Sequence, residues 1–189
     1  MTSIQILSDI HLESPSAYDV FSIPPKAPHL ALLGDIGNVR DKGFSPFIEA
    51  QLHNFRTVFL LLGNHEPYHS SWPNVRQEIE KFAQNIRLQS EREPVLGCTL
   101  HSHIPPESEE QVSFGLNDFS GIDDWTVQEH NAAHAVDLAW LNEQVASISA
   151  TEPERKIVIF THHSPAMCEK RAVDPAHANS AIGPGFRAT

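Results

Sequence analysis

Four short apolar segments in the chain have the pattern of β-strands that are covered on both faces. Each is rich in Ile, Val, Leu or Phe and lacks the strict alternation of polar and apolar residues that marks a half-exposed strand. Runs of this kind are typical of parallel strands packed under helices. The four segments are residues 3–8, 29–34, 56–63 and 155–161. They predict an α/β fold.

Three longer segments have the spacing of helices. In residues 45–55, Ser45 is the expected cap and Pro46 occupies the first helical position, where its missing N–H costs no hydrogen bond. Residues 71–86 carry apolar side chains at spacings of three and four, which places them on one helix face. Residues 127–148 form the clearest helix. Its apolar face is expected to consist of Leu138, Leu141, Val145 and Ile148.

The remaining segments predict a loop and a second layer of strands. Residues 12–29 contain four prolines and are expected to form a long loop. Residues 94–116 are expected to add two strands on either side of an acidic, proline-containing loop. The chain contains no internal repeat and no convincing linker, so we expect a single domain over residues 1–189.

Side chains that can bind metal follow each of the four apolar runs. The first run leads to Asp9 and His11, which would point the same way in an extended chain. Because the carboxyl ends of parallel strands meet at one edge of a sheet, the residues that follow all four runs are expected to converge. These residues are Asp9, His11, Asp35, Asn64, His65, His162 and His163. Mixed oxygen and nitrogen ligands suit Mn, Fe, Zn, Co or Ni, so the pattern predicts a metal centre.

Two other histidine pairs have simpler explanations. His101 and His103 precede the fourth run without a glycine before them, which favours a surface strand end. His130 and His134 lie four residues apart on one helix face, as in a zinc protease, but the glutamate precedes the first histidine instead of following it. We expect this second pair to belong to a solvated polar face of the helix.

The charge and the cysteine count restrict partners and location. Thirteen basic residues against 24 acidic ones give a formal charge of −11, which disfavours binding to nucleic acid or to an anionic membrane. A local metal ion could still hold a phosphate group. The chain has only two cysteines, Cys98 and Cys168, and its N-terminus lacks the apolar region of a signal peptide, so a cytoplasmic location is expected. The sequence predicts no oligomeric state.

The motifs at the ends of the runs resemble those of the calcineurin-like metallophosphoesterases. In chain order they are DIH, GDIGN, GNHE and THHSP, and they extend from Asp9 to Pro165. The resemblance implies an α/β fold of four layers, in which two mixed β-sheets are sandwiched between helices. It also implies a hydrolase that cleaves a small phosphomonoester or phosphodiester at a dinuclear metal centre, with a bridging hydroxide as the nucleophile.

The resemblance also implies a role for each matching residue. Asp9 and His11 would bind the first of two divalent metal ions. Asp35 would bridge both ions, and Asn64 with His162 would bind the second.

His65 would lie beside the metal ions as the catalytic residue, either as a proton donor or as a stabiliser of the transition state. An imidazole can protonate a leaving oxygen near neutral pH. Glu66 is a candidate for orienting the ring of His65.

The chain departs from the family's pattern in one respect. The family's last motif, Gly-His-x-His, does not follow THHSP, so the domain is expected to be C-terminally truncated and part of the second sheet to be missing. Two alternatives to an active enzyme follow. The chain could be a catalytically impaired scaffold for protein interactions, or a one-metal module that binds phosphate.

Overall fold

The computed structural model describes residues 3–86, 95–165 and 180–186. Its Cα positions fall into two units. Unit 1 contains Met1–Glu91 and Gly121–Asp123, and unit 2 contains Arg92–Ser120 and Asp124–Thr189. The single domain over 1–189 stays a prediction. Cys168 lies outside the described residues.

Three parallel strands form the sheet of unit 1. They are β1 (Ile4–Leu7), β2 (His29–Leu33) and β3 (Thr57–Leu61), and their order in the sheet is β1-β2-β3. The register pairs the last residues of β2 and β3, Leu33 with Leu61, so the strands end at a common edge. The three central residues of β2 are fully buried. The first three apolar runs are therefore confirmed as parallel strands.

Two helices follow the strands of unit 1, α1 (Phe44–Asn54) after β2 and α2 (Trp72–Asn85) after β3. The prediction of Ser45 as the cap of α1 is wrong, because the helix begins after Gly43, whose carbonyl accepts the N–H of Phe47 at 3.0 Å. This earlier start brings Phe44 into the apolar core. The core of unit 1 also contains Leu30, Leu32, Ile36, Phe47, Ile48 and Phe55. Residues 12–28 contain no helix or strand, which confirms the predicted loop.

Unit 2 contains a parallel pair of strands, β4 (Val95–Cys98) and β5 (Val158–Thr161). The fourth apolar run therefore belongs to a different sheet from the first three. The sequence analysis expected the polar residues after all four runs to meet at the edge of one sheet. The strand order does not support this for the residues after the fourth run, since β5 pairs with β4. Among the described residues both sheets are purely parallel rather than mixed.

The predicted strand within residues 111–116 is wrong, because most of it belongs to helix α3 (Glu109–Gly115). Glu109 and Glu110 lie in the first turn, where negative side chains favour a helix. Val112 and Leu116 are four residues apart and pack together in a small apolar core of unit 2. The buried positions of this segment thus follow the spacing of a helix and not that of a strand.

The last two α-helices are a single turn, α4 (Asp118–Gly121), and the long helix α5 (Val127–Thr151). The hydroxyl of Thr126 accepts the N–H of Glu129 at 3.1 Å and caps α5. Of the predicted apolar face only Leu141 is buried, at 8% exposure, and Leu138 is 38% exposed. The buried stripe instead contains Val127, His130, His134 and Leu141.

Among the described residues, no helix combines the length and the hydropathy that spanning a bilayer requires.

Candidate metal centre

The chain turns sharply after β1 and β2, in a left-handed backbone conformation. Asp9, His11 and Asp35 have φ angles of 54°, 45° and 53°. Non-glycine residues with positive φ are uncommon and concentrate at functional sites. The backbone N–H of Asp9 donates to the carbonyl oxygen of Gly34 at 3.1 Å, and the N–H of His11 donates to the backbone carbonyl oxygen of Asp35 at 3.0 Å. These bonds join the two turns. Asp9 and His11 therefore reach a common site through tight turns, not through the alternation of an extended strand.

The two turns bring three potential metal ligands together. Asp9, His11 and Asp35 each offer a ligand atom, and these atoms all lie within 4.8 Å of one another. The Asp35 side chain is buried, and its Oδ2 lies 3.9 Å from Nε2 of His11. Two carboxylates and one imidazole form a donor set that suits a borderline divalent ion. The residues present therefore fit the metal that the sequence predicted.

His65 is tied to this group through its backbone. Its N–H donates to Oδ1 of Asp35 at 2.9 Å. Its ring meets His11 edge-on, with centroids 4.4 Å apart, and is stacked on Tyr68 at 4.3 Å. The partly buried Asn64 lies in the same turn, between β3 and His65. The structure thus brings His65 beside the three potential ligands, within unit 1.

Glu66 is completely buried, and both of its carboxylate oxygens accept backbone N–H groups. The donors are Asp35 at 3.0 Å, Ile36 at 2.8 Å and Gly63 at 2.7 Å. Burial, and next the charge of Asp35, raise the pKa of Glu66 to about 8, against the effect of the three N–H groups. The suggestion that Glu66 orients the imidazole of His65 is wrong. Glu66 holds the backbone at the ends of β2 and β3 instead.

Glu13 is a residue of this site that the sequence reasoning missed. Its Oε1 lies 3.2 Å from Nδ1 of His11 and 3.0 Å from Nδ1 of His65. Burial alone would raise the pKa of Glu13, but hydrogen bonds from its own backbone and from His65 and His11 lower it below the usual value. No local pattern indicates Glu13, because the left-handed turns at Asp9 and His11 break the alternation of an extended strand.

His162 lies in unit 2, directly after β5, with its ring centroid 5.1 Å from that of His163. Its role as a ligand of the second metal ion stays a prediction, as do the roles assigned to the other site residues. Within the part of the chain that the structure describes, both groups of three converging ligand atoms lie in unit 1.

Unit 2 contains a buried histidine cluster, which we define as His101, His130, His134 and His163. The expected surface position of His101 and the expected solvated position of His130 and His134 are therefore wrong. Nε2 of His130 lies 2.8 Å from the hydroxyl of Ser102. Burial, followed by the neighbouring His101 and His134, lowers the pKa of His130 to about 3. The ring centroids of His101, His130 and His163 lie 5.2 to 6.2 Å apart, and Nδ1 of His134 lies 2.6 Å from the carbonyl oxygen of His101. The cluster is buried because α5 turns His130 and His134 inward.

Sequence comparison decides the family. The family model described as Calcineurin-like phosphoesterase matches residues 2–183. The chain belongs to this family. This chain is 24% identical over 222 aligned residues to the uncharacterized protein L509 of Acanthamoeba polyphaga mimivirus. The match covers 98% of this chain and 78% of the viral protein.

The fold is also similar to a solved structure. The match is phosphopantetheinyl hydrolase (PptH) from Mycobacterium tuberculosis, with a TM-score of 0.67 and 13% identity, covering 100% of this chain and 76% of that one. At this identity the similarity concerns the fold alone. The family resemblance drawn from the four motifs and the predicted α/β fold class are both confirmed.

Proposed function

We propose that this calcineurin-like phosphoesterase hydrolyses a phosphomonoester or a phosphodiester with the help of two divalent metal ions. The observation that carries the proposal is the convergence of Asp9, His11 and Asp35, whose ligand atoms lie within 4.8 Å of one another. The backbone hydrogen bond between His65 and Asp35 adds an imidazole at the edge of this group. Membership of the family supports the same reaction class.

The ligands are proposed to divide as the motifs suggest. Asp9 and His11 would hold the first ion, Asp35 would bridge both, and Asn64 with His162 would hold the second. When bound, such ions supply positive charge at the phosphoryl oxygens and lower the pKa of a coordinated water. The protein would supply three fixed donors whose positions are set by the hydrogen-bonded turns.

His65 is proposed as the residue that donates a proton to the leaving group. Its Nδ1 faces Glu13, so Nε2 is the ring nitrogen that remains for a substrate. Stacking on Tyr68 restricts rotation of the ring. A neighbouring carboxylate would also stabilise the imidazolium that a proton donor requires.

The proposed substrate is a small phosphorylated molecule. The formal charge of −11 disfavours nucleic acid and anionic membranes, because both are bound through an extended basic surface. A single phosphate group needs only the local positive charge of bound metal ions. A cytoplasmic location is proposed because a chain with only two cysteines suits a reducing compartment.

The test combines a metal count with two chromogenic substrates. The full chain would be loaded with Mn²⁺, its metal content measured by elemental analysis, and its activity assayed on p-nitrophenyl phosphate and on bis(p-nitrophenyl) phosphate. In the wild type we expect two equivalents of Mn²⁺ and hydrolysis of at least one substrate. Asp35→Ala should lose the bound Mn²⁺ and the hydrolysis. Asp19→Ala is the matched control, because Asp19 is exposed on the loop of unit 1. A wild-type chain that binds no Mn²⁺ would refute the proposal.

A further inference from the structure

One carboxylate oxygen of Glu13 lies within hydrogen-bonding distance of two different imidazoles. Oε1 is 3.2 Å from Nδ1 of His11 and 3.0 Å from Nδ1 of His65. In both rings it is Nδ1, not Nε2, that faces the carboxylate. An ionised carboxylate can only accept hydrogen bonds, so each Nδ1 must carry a proton for both bonds to form.

This arrangement determines where the lone pair of each neutral ring lies. With the proton on Nδ1, the unprotonated nitrogen is Nε2. In His11, Nε2 is the nitrogen that faces the potential ligand Asp35, at 3.9 Å. A histidine that binds metal commonly donates its other N–H to a carboxylate, which fixes the tautomer and the ring orientation.

We propose that Glu13 is a positioning residue that sets the same tautomer in two histidines at once. In His11 it leaves Nε2 available to ligate a metal ion. In His65 it leaves Nε2 available to the substrate, a consequence that rests on the proposed function. Glu13 acts through the two rings and makes no contact with the reacting atoms.

A direct role of Glu13 as a metal ligand is the main competing explanation. His11, Glu13 and His65 also form a group of ligand atoms within 4.8 Å of one another, and the Oε2 atom of Glu13 is buried without a hydrogen-bond partner among the described residues. The positioning role is favoured because the two Nδ1 atoms share one oxygen. Nε2 of His11 meanwhile faces a different carboxylate, that of Asp35.

Nuclear magnetic resonance tests the tautomers without metal or substrate. Two-bond ¹H–¹⁵N spectra show which ring nitrogen of a histidine is protonated. The sample is the ¹⁵N-labelled full chain, treated with a chelator and held at a pH of about 8.5 so that ordinary imidazoles are neutral. His11→Gln and His65→Gln variants assign the two signals. We expect the Nδ1–H form for both rings in the wild type. In Glu13→Ala, both should change towards the Nε2–H form that predominates for histidine in water.

Glu49→Ala is the matched control, because Glu49 is exposed on α1 of the same unit. It should leave both tautomers unchanged. Glu13→Leu replaces the carboxylate by a side chain with no hydrogen-bond acceptor and serves as a second variant should Glu13→Ala fail to fold. It should also lose the Nδ1–H form in both rings. Unchanged tautomers in a folded Glu13 variant would overturn the inference.

Metal binding provides a second readout that separates positioning from ligation. For a positioning residue, Glu13→Ala should weaken the binding of Mn²⁺ by about 10–100-fold while the number of ions at saturation stays the same. Loss of a whole equivalent of Mn²⁺ would instead assign Glu13 to coordination and overturn the inference. A wild-type chain with the expected tautomers but no hydrolysis would refute the proposed function and leave the tautomer result intact.

Discussion

The carboxylate of Glu66 accepts the backbone N–H of Asp35 at 3.0 Å, and the same side chain also accepts the N–H groups of Ile36 and Gly63. A single buried residue therefore holds the ends of two neighbouring strands in place. Asp35 itself offers a ligand atom to the candidate metal centre. The position of that ligand thus depends on a residue whose own oxygens face the backbone and not the metal.

Glu66→Ala would leave three buried N–H groups without their acceptor. An unsatisfied buried donor costs at least about 1 kcal/mol, so we expect the free energy of unfolding to fall by about 3 kcal/mol or more. Urea denaturation measures this change. Glu80→Ala, on the exposed face of α2, should change the stability by no more than about 0.5 kcal/mol. Equal stability of Glu66→Ala and the wild type would contradict this role of Glu66.

Asp9 and Asp35 are expected to differ in how many metal ions depend on them. Asp9 is proposed to bind only the first ion, whereas Asp35 is proposed to bridge both. Asp9→Asn should therefore retain one tightly bound Mn²⁺, while Asp35→Ala should retain none. Both should reduce hydrolysis by more than about 100-fold, because removing a ligand costs more than removing a residue that orients one. Identical metal counts for the two variants would argue against a bridging Asp35.

His65→Ala tests the proposed proton transfer. We expect the rate of hydrolysis to fall by about 10²- to 10⁴-fold while the metal content is unchanged. The loss should be larger for an alkyl phosphate than for p-nitrophenyl phosphate, because a nitrophenolate leaves without needing a proton. His53→Ala, on the exposed side of α1, is the matched control. Equal losses on both substrates would favour stabilisation of the transition state over proton donation.

The histidine cluster of unit 2 should make the protein less stable in mild acid. In the folded state burial holds the pKa of His130 at about 3, whereas an unfolded histidine has a pKa of about 6.5. Between these values the unfolded state binds one more proton. The stabilisation is complete above about pH 6.5 and is lost as the pH falls, by up to about 1.4 kcal/mol per pH unit.

Urea denaturation between pH 6.5 and 5 checks this prediction. His130→Gln should reduce the slope of stability against pH, because the titrating group is removed. The groups that face His130 are His101, His134 and His163, and their rings remain in this variant. His103→Gln, at an exposed position, should leave the slope unchanged. A slope in His130→Gln equal to that of the wild type would contradict the prediction.

The sequence predicted the parts of this fold that depend on local pattern. The apolar runs that became β1, β2 and β3 are short and uninterrupted, and the polar residues that follow them were correctly placed at one edge of the sheet. The order of strands could not be read in the same way. Val158 and Ile159 of β5 resemble the first three runs in composition, but they are about half exposed and pair with β4.

Tertiary contacts explain what the sequence reasoning missed. Glu13 faces His65 from 52 positions earlier in the chain, and no local pattern encodes that pairing. His130 and His134 have the spacing of a helix face, but only the packing around α5 decides that this face is buried. A buried neutral histidine and a solvated one look the same in a sequence.

The left-handed turns at Asp9 and Asp35 restrict how this protein can change over time. Aspartate and asparagine tolerate such a backbone better than other residues that carry a side chain, and branched residues such as valine are strongly disfavoured. The substitution most easily accepted at either position is therefore asparagine, which keeps the turn and removes the negative charge. Relatives without catalytic activity are therefore expected to carry asparagine at positions 9 and 35 while the backbone of both turns is kept.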